Sequence, residues 1–556
     1  MVHFAVDRRT SACLVGCLLV FAVGVAVVPV DATAATAEQP TTGPTTSSQA
    51  GEILEMYPNP TTPQNHGEYV IVELTEPGEW TLTDGHATAN LPSGSGTFAV
   101  TRHPEQTAAH TDITIVETES HLRLAVSGDQ LELKRNGEIV DSVRYEQAPE
   151  SHRWRADREP NWQPDGFEPR EPKTVTEKPI EAFVLPDTSE APLAGIEAAD
   201  DRLYLAAYTL TSERVTEELI AAHERGVTVD VLVEGGPVGG IPATQADRLD
   251  ELTAAGVDVQ VMTGDRTRFR YQHAKYAVVD DRAVVLTENW KPSGTGGAEN
   301  RGWGLVVDSP KTADELAAVF EHDAGWEDTR SWREFRESSD SYSQEQATGS
   351  YPETHPPLST TVDELTILTA PDNAVDELIA EIDAADDRLL VVQPRISDTD
   401  FGLLRAAIRA ADRGVEVRVL LGSEWYDESD NRELAAELRD KADDSDAPLE
   451  VRLAEDTDRF GKIHAKGIVA DDTAVVGSLN WNNNSATNNR EVAIAIEDEA
   501  VADYYAEVFA GDWDGGSDDD HDGIPVGVVV VSVGAAAGAV LLLKRRLEFA
   551  DAVGGD

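Results

Sequence analysis

Two stretches of this chain carry the same chemistry-bearing residues in the same register. HAKYAVVDDRAVVLTENW runs from His273 to Trp290, and HAKGIVADDTAVVGSLNW runs from His464 to Trp481. In each, a histidine and a lysine two apart on an apolar strand project from one face. A paired aspartate turn at Asp280 or Asp471 then reverses the chain. The return brings Leu286-Thr287-Glu288-Asn289, or Gly477-Ser478-Leu479-Asn480, beside the first pair. An imidazole, an ammonium, a hydroxyl and an amide converge, which supplies a nucleophile or acid together with donors for an anion. A lone His-x-Lys pair is weak evidence, whereas two copies in identical register are strong. Lysine scarcity sharpens the signal, because Lys275, Lys462 and Lys466, of only 10 lysines in the chain, lie in or beside these strings. Neither string has the ligand spacing of a zinc or two-metal site, so no metal or cofactor is expected.

The paired pattern resembles the phospholipase D superfamily over roughly residues 180 to 515. The resemblance implies a metal-independent phosphodiesterase in which one histidine attacks phosphorus and the other protonates the leaving oxygen. It implies catalytic roles for His273, Lys275, His464 and Lys466. Asn289 and Asn480 join the lysines in holding the non-bridging oxygens, and Ser478 and Thr287 are lesser donors. The first copy departs from the pattern. Leu286 and Thr287 stand where Gly and Ser are expected, and Gly302 stands where the second copy has Glu491, after a glycine-rich insertion at Gly294 to Gly297. Glu491 is in register to orient His464, and Glu299 is a candidate substitute in the first copy. The expectation is therefore His464 as nucleophile and His273 as general acid, with a binding-only, degenerate domain as an alternative. Asp280 and Asp471 read as turn or ion-pair residues outside the site.

The elements that position these strings are also duplicated. Ala198-Ala199-Asp200-Asp201-Arg202-Leu203 returns as Ala384-Ala385-Asp386-Asp387-Arg388-Leu389, and Val319-Phe320 with Asp323 returns as Val508-Phe509 with Asp512. Each copy has an amphipathic helix, with Val215, Leu219 and Ala222 or Leu404, Ile408 and Ala411 on its apolar face. A Gly stop and a Val-rich strand follow, so the units are α/β layers, at 180–336 and 362–515 with a linker at 337–361. Residues 51–150 show short alternating strands separated by Asp84-Gly85, Ser127-Gly128-Asp129 and Asn136-Gly137 turns, a small β-sandwich. The strings MYPNP, GEYVIVEL, WTLTDG and SGDQLELKRNGEIVDSVRY resemble a lamin-tail domain, an immunoglobulin-like sandwich. That resemblance implies a module that binds an unknown surface partner or acts as a spacer. A linker at 38–50 precedes it and a Trp- and Pro-rich connector at 151–179 follows.

Arg8-Arg9, an apolar run from Ala12 to Val30 and small residues through Ala37 form an export signal at 1–37. An acidic stalk at 516–524, a charge-free apolar run at 525–543 and Lys544-Arg545-Arg546 in the tail 544–556 predict one C-terminal membrane helix with the body outside. The only cysteines, Cys13 and Cys17, lie in the first apolar run, so the body has no thiol nucleophile or disulfide. The net charge of -58 reads as the solvated coat of a protein adapted to high salt, and it says little about partners. Arg266, Arg268 and Arg270, interleaved with Phe269 and Tyr271 and echoed by Arg459-Phe460, suggest a basic, aromatic mouth for a polyanion. Solvated loop charge is the equal alternative. The substrate is thus a phospholipid or nucleic-acid diester, and an extracellular nuclease remains a full alternative.

Overall fold

The computed structural model describes residues 41–42, 50–158, 161–264, 266–397, 399–454 and 458–515. The expected signal segment, acidic stalk, apolar run at 525–543 and basic tail lie outside the described residues. Among the described residues no helix is long and apolar enough to cross a membrane.

The N-terminal region is β-rich. A five-stranded and a six-stranded sheet face each other over a core that includes Ile53, Val72, Trp80, Leu82, Leu131 and Val143. The connector expected over 151–179 is not free chain. Strands His152–Arg155 and Trp162–Pro164 extend the six-stranded sheet, with Trp154 set opposite Met56. Both tryptophans are buried, at 0% and 8% exposure for Trp154 and Trp162, and burying such rings drives the added strands onto the sandwich.

The two repeats do not form separate sheets. Lys173–Leu185 pairs antiparallel with Leu358–Ala370, in register from Lys173 with Ile367 to Ala182 with Leu358, and this seam joins the repeats into one 16-stranded sheet. The strand order is mirrored about the seam. Moving outward come Asn300–Asp308 and Glu491–Glu497, then Arg282–Leu286 and Thr473–Gly477, then Tyr276–Val279 and Gly467–Ala470. Parallel strands complete each half, with Arg202–Ala207 beside Thr228–Glu234 in the first and Arg388–Gln393 beside Glu416–Leu421 in the second.

Helices Glu213–Arg225 and Gly402–Arg413 bury the apolar residues expected of them and stop at Gly226 and Gly414, whose φ of 98° and 100° suits glycine. On the other face, Pro310–Ala324 and Glu499–Asp514 sink into one core shared by both repeats. There the rings of Trp303 and Tyr505 stack at 4.4 Å, and Tyr505 donates to the Gly304 carbonyl at 2.7 Å. The interrepeat linker is also partly structured: Ser341–Tyr342 pairs with Ile241–Pro242, and the Thr354 and His355 amides donate to Asp187.

Candidate active site

Each His-x-Lys segment lies just before a strand, not within one as expected, because its backbone bonds to the other repeat. The His273 amide donates to the Arg490 carbonyl at 3.0 Å, and the His464 amide donates to the Arg301 carbonyl at 3.0 Å. Each arginine is held in turn by both repeats. Arg490, wholly buried, pairs with Asp323 at 2.8 Å and Asp372 at 2.8 Å and lies 4.0 Å over the Phe269 ring. Arg301 mirrors it with Asp512 at 2.9 Å, Asp187 at 2.5 Å and Phe460 at 4.8 Å. The repeated Asp323 and Asp512 thus clamp the two motifs together. Asp280 and Asp471 sit at positive φ, 52° and 46°, and accept the amides of Asp200 to Arg202 and Asp386 to Arg388, which explains the repeated Asp-Asp-Arg.

The orientation of the histidines departs from the sequence reading. Glu491 does not hold His464. Its two oxygens lie 2.8 and 2.9 Å from His273 Nδ1, across the seam. Seryl and amide donors fix that carboxylate, from Ser478 Oγ at 2.5 Å and Asn489 Nδ2 at 3.1 Å. His464 Nδ1 is held by Glu288 at 3.0 Å, and Asn300 Nδ2 donates to the other Glu288 oxygen at 2.7 Å. Glu299 is not the substitute either, for it pairs with Lys462 at 3.0 Å. The reason lies at Gly302. A Cβ there would meet Glu288 Cγ at 2.3 Å, so the glycine leaves the room that the Glu288 side chain fills. Glu288 replaces Leu479 of the second copy while Gly302 replaces Glu491, and the carboxylate reaches its histidine from the bend that follows the neighbouring strand Arg282–Leu286. Both imidazoles therefore have an oriented Nδ1, and the departure that suggested a degenerate first motif is filled.

Lys275 and Lys466 are buried between the pairs. Lys275 Nζ donates to the His273 carbonyl, and Lys466 Nζ donates to the His464 carbonyl at 2.6 Å and the Thr287 carbonyl at 3.4 Å. Asn289 is 5% exposed and its Oδ1 has no hydrogen-bond partner among the described residues, whereas Asn480 is half-buried. Thr287 Oγ1 accepts the Trp303 amide, which ties this hydroxyl into the sheet.

Burial pushes the His273 imidazole down to about 4 against the pull of Glu491, and pushes His464 down to about 3 against Glu288. Burial also opposes charge on Glu288, but His464 and Lys466 hold it at about 2. In Glu491 the same opposition is overcome by His273, Lys275 and Ser478. Burial lowers Lys466 to about 8 and Lys275 in the same direction. With Nδ1 of each imidazole facing a carboxylate, Nε2 is the nitrogen turned to chemistry, and burial favours the neutral ring, which suits nucleophilic attack.

Most of the expected basic mouth is structural. Arg268 is 3% exposed and bonds both Asp328 oxygens, and Phe269 and Phe460 are the buried plates under Arg490 and Arg301. Arg459 pairs with Asp512 at 3.5 Å, and Arg266 pairs with Glu150 at 2.7 Å. Among the described residues, Arg270 alone of the three alternating arginines is exposed without a carboxylate partner. It lies 5.7 Å over Tyr271 and lines a cleft of about 850 Å³ with Arg158 and Asn488. Tyr208, which sequence gave no reason to select, packs its ring 4.9 Å from His273 and 5.4 Å from the Lys275 ammonium.

A two-fold-related pair of carboxylate-oriented histidines, with two buried lysines between them, on a sheet continuous across two repeats defines the class. A family model described as cardiolipin synthase, phospholipase D-like domain, matches residues 193–324 and 378–513. The chain belongs to the phospholipase D superfamily and is an enzyme of the phosphodiesterase type. Similar solved structures include a phosphatidylserine synthase from Haemophilus influenzae Rd KW20, 15% identical, covering 62% of this chain and 87% of its own with a TM-score of 0.47. Nuc from Salmonella typhimurium, a phospholipase D family member, is 18% identical and covers 31% of this chain and 100% of its own, with a TM-score of 0.23. NucT from Helicobacter pylori is 20% identical and covers 27% and 96%, with a TM-score of 0.24. A search of curated proteins finds no significant match.

Proposed function

We propose that this protein cleaves phospholipid phosphodiesters outside the cell, without a metal, through a phosphohistidine on His273. The observation that carries the reading is the pair of crossed histidine–carboxylate contacts around Lys275 and Lys466. His273 is the nucleophile because Glu491 grips its Nδ1 with both oxygens and is itself fixed by Ser478 and Asn489. This reverses the assignment drawn from sequence, which depended on Glu491 serving His464. Attack of His273 Nε2 forms the P–N bond as the P–O bond to the leaving alcohol breaks. His464, whose side chain is more open at 24% exposure against 11%, delivers the proton to that oxygen once the bound anion and Glu288 favour its imidazolium. Water or an acceptor alcohol then gives its proton to His464 and displaces the histidine. Lys275, Lys466, Asn289 and Asn480 hold the non-bridging oxygens, where charge grows.

The lipid substrate is supported by what surrounds the site. The loops after Thr228–Glu234 and Glu416–Leu421, equivalent strands of the two repeats, expose Val238 at 66%, Trp425 at 76% and Tyr426 at 53%. The Val238 amide donates to Tyr208 Oη, whose ring packs against His273. Exposed apolar and aromatic groups at a mouth suit an acyl-chain interface. Arg270 over Tyr271 favours the second reading, a nuclease.

The test uses protein refolded in molar salt and treated with EDTA, offered phospholipid vesicles and DNA in parallel. Phosphatidic acid or a transferred phosphatidyl group is expected; shortened DNA alone selects the nuclease, and turnover that needs added metal overturns the mechanism. Alkaline quenching during turnover followed by peptide mapping should find phosphate on His273, and an adduct on His464 reverses the roles.

A further inference from the structure

The two-fold symmetry of the site fails at one charged residue. Asn289 and Trp290 correspond to Asn480 and Trp481, so the next-but-one position after each asparagine holds Lys291 in the first repeat and Asn482 in the second. Asn482 is structural: its Oδ1 accepts the Ser485 amide and caps the helix Asn483–Thr487. In the first repeat that helix is replaced by a glycine-rich turn, with the amides of Gly294 and Gly296 donating to the Lys291 carbonyl at 3.0 and 3.2 Å. The turn fixes the Lys291 backbone and frees its side chain from any capping role.

The Lys291 ammonium is half-buried, and its Nζ makes no hydrogen bond or ion pair with any described residue. The Lys291 amide donates to the Asn289 carbonyl at 2.8 Å, and the turn that follows it packs so close that a Cβ at Gly294 would meet Glu288 Oε2 at 2.8 Å, so Lys291 stands beside the reaction centre. Burial, and then Lys462, lower its pKa, against the pull of Glu288 and Glu299. Glu288 is taken by His464 and Asn300, and Glu299 is taken by Lys462. An unpaired ammonium held partly out of water is costly to the empty protein, which singles it out from the solvated charges of the surface.

The pairing of the neighbouring carboxylates gives the ammonium a role. Glu491 is engaged by His273, Ser478 and Asn489, Glu288 by His464 and Asn300, and Glu299 by Lys462, so none of these three is left for Lys291. A cation with no carboxylate partner among the described residues, beside the two histidines, suits the negative charge of a phosphodiester. We infer that Lys291 is a substrate-binding residue that takes a non-bridging oxygen of a monoanionic phosphodiester on the His464 side, and so sets the direction in which the diester lies between the two histidines. This rests on the reading of the site as a phosphodiesterase.

The test compares wild type with Lys291→Gln and Lys291→Arg in the full catalytic body. Inorganic phosphate is the binding probe, followed calorimetrically, and bis(p-nitrophenyl) phosphate is the substrate. Losing one charge-assisted contact should weaken phosphate binding about tenfold or more in Lys291→Gln and lower kcat/KM on the diester similarly, with Lys291→Arg restoring most of both. Thermal stability of Lys291→Gln should equal or exceed that of wild type, because no folded-state partner is lost. Phosphate affinity within twofold of wild type overturns the proposal. A loss of affinity that tracks a lower melting temperature and is not rescued by Arg overturns it as well, by making Lys291 structural. If wild type binds phosphate but turns over no diester, the proposed function fails while the binding comparison still decides the role of Lys291.

Discussion

At the residue scale the central fact is the exchange between Glu288 and Gly302. Glu288→Leu should lower turnover on a soluble diester about a hundredfold or more, the usual scale for losing the group that orients a functional imidazole. Adding Gly302→Glu to that variant rebuilds the arrangement of the second copy and should recover much of the loss. A double variant as dead as the single one would show that Glu288 does something else. The depressed imidazoles make a second prediction. Each folded-state value lies below the unfolded value of about 6.5, so below that pH the unfolded chain binds more protons and stability falls as pH falls. Between pH 6.5 and 5 the slope is at most about 1.4 kcal/mol per pH unit for each histidine. Urea midpoints across that range should flatten in the His273→Gln, His464→Gln double variant, and an unchanged slope would refute the linkage. The histidines, lysines and asparagines were legible because they recur in register. Glu288 was not, since nothing in a sequence says which histidine a carboxylate will reach across a seam. Its only signal was reciprocal: an acid where the other copy has Leu479, and a glycine where the other copy has Glu491. Lys291 had a signal too, as one more scarce lysine, directly after the first motif.

Among the elements, the strands just after each His-x-Lys segment and the buried arginines beside them decide whether the site exists. The repeated helix patterns, Gly stops and Asp-Asp turns were readable because each is a local, periodic signal. The seam between Lys173–Leu185 and Leu358–Ala370 was not, because pairing between distant strands leaves no local mark, and both strands begin inside segments that read as connector or linker. Arginines such as Arg268 and Arg459 looked like a mouth because a buried guanidinium and an exposed one are spelled alike. Asp323→Ala strands the Arg490 guanidinium, which is 0% exposed, with Asp372 alone. Breaking such a pair should cost about 3–5 kcal/mol, whereas Glu190→Ala, which breaks a pair with Arg214 at 70% and 54% exposure, should cost at most about 1 kcal/mol. Denaturant midpoints compare them, and equal costs would mean that the clamp is not what holds the repeats together.

For the whole molecule, the apolar run at 525–543 and the basic residues that follow it motivate our proposal of a catalytic body held outside a membrane. Protease added to intact cells should release the phosphodiesterase fragment; protection until lysis would put the body on the other side. The crossed contacts also bear on how such a protein can be inherited. When two identical chains share a site, every substitution is made on both sides at once, and an acid moved from one strand to another would leave both histidines altered together. Once the halves are encoded in tandem each can vary alone, and the Glu288-for-Gly302 exchange, written in one half only, is a change of that kind. Yet the same crossing denies either half its independence. A lesion at Glu491 disables the histidine of the first half and one at Glu288 disables that of the second, so neither half of the gene can decay while the other is kept under selection.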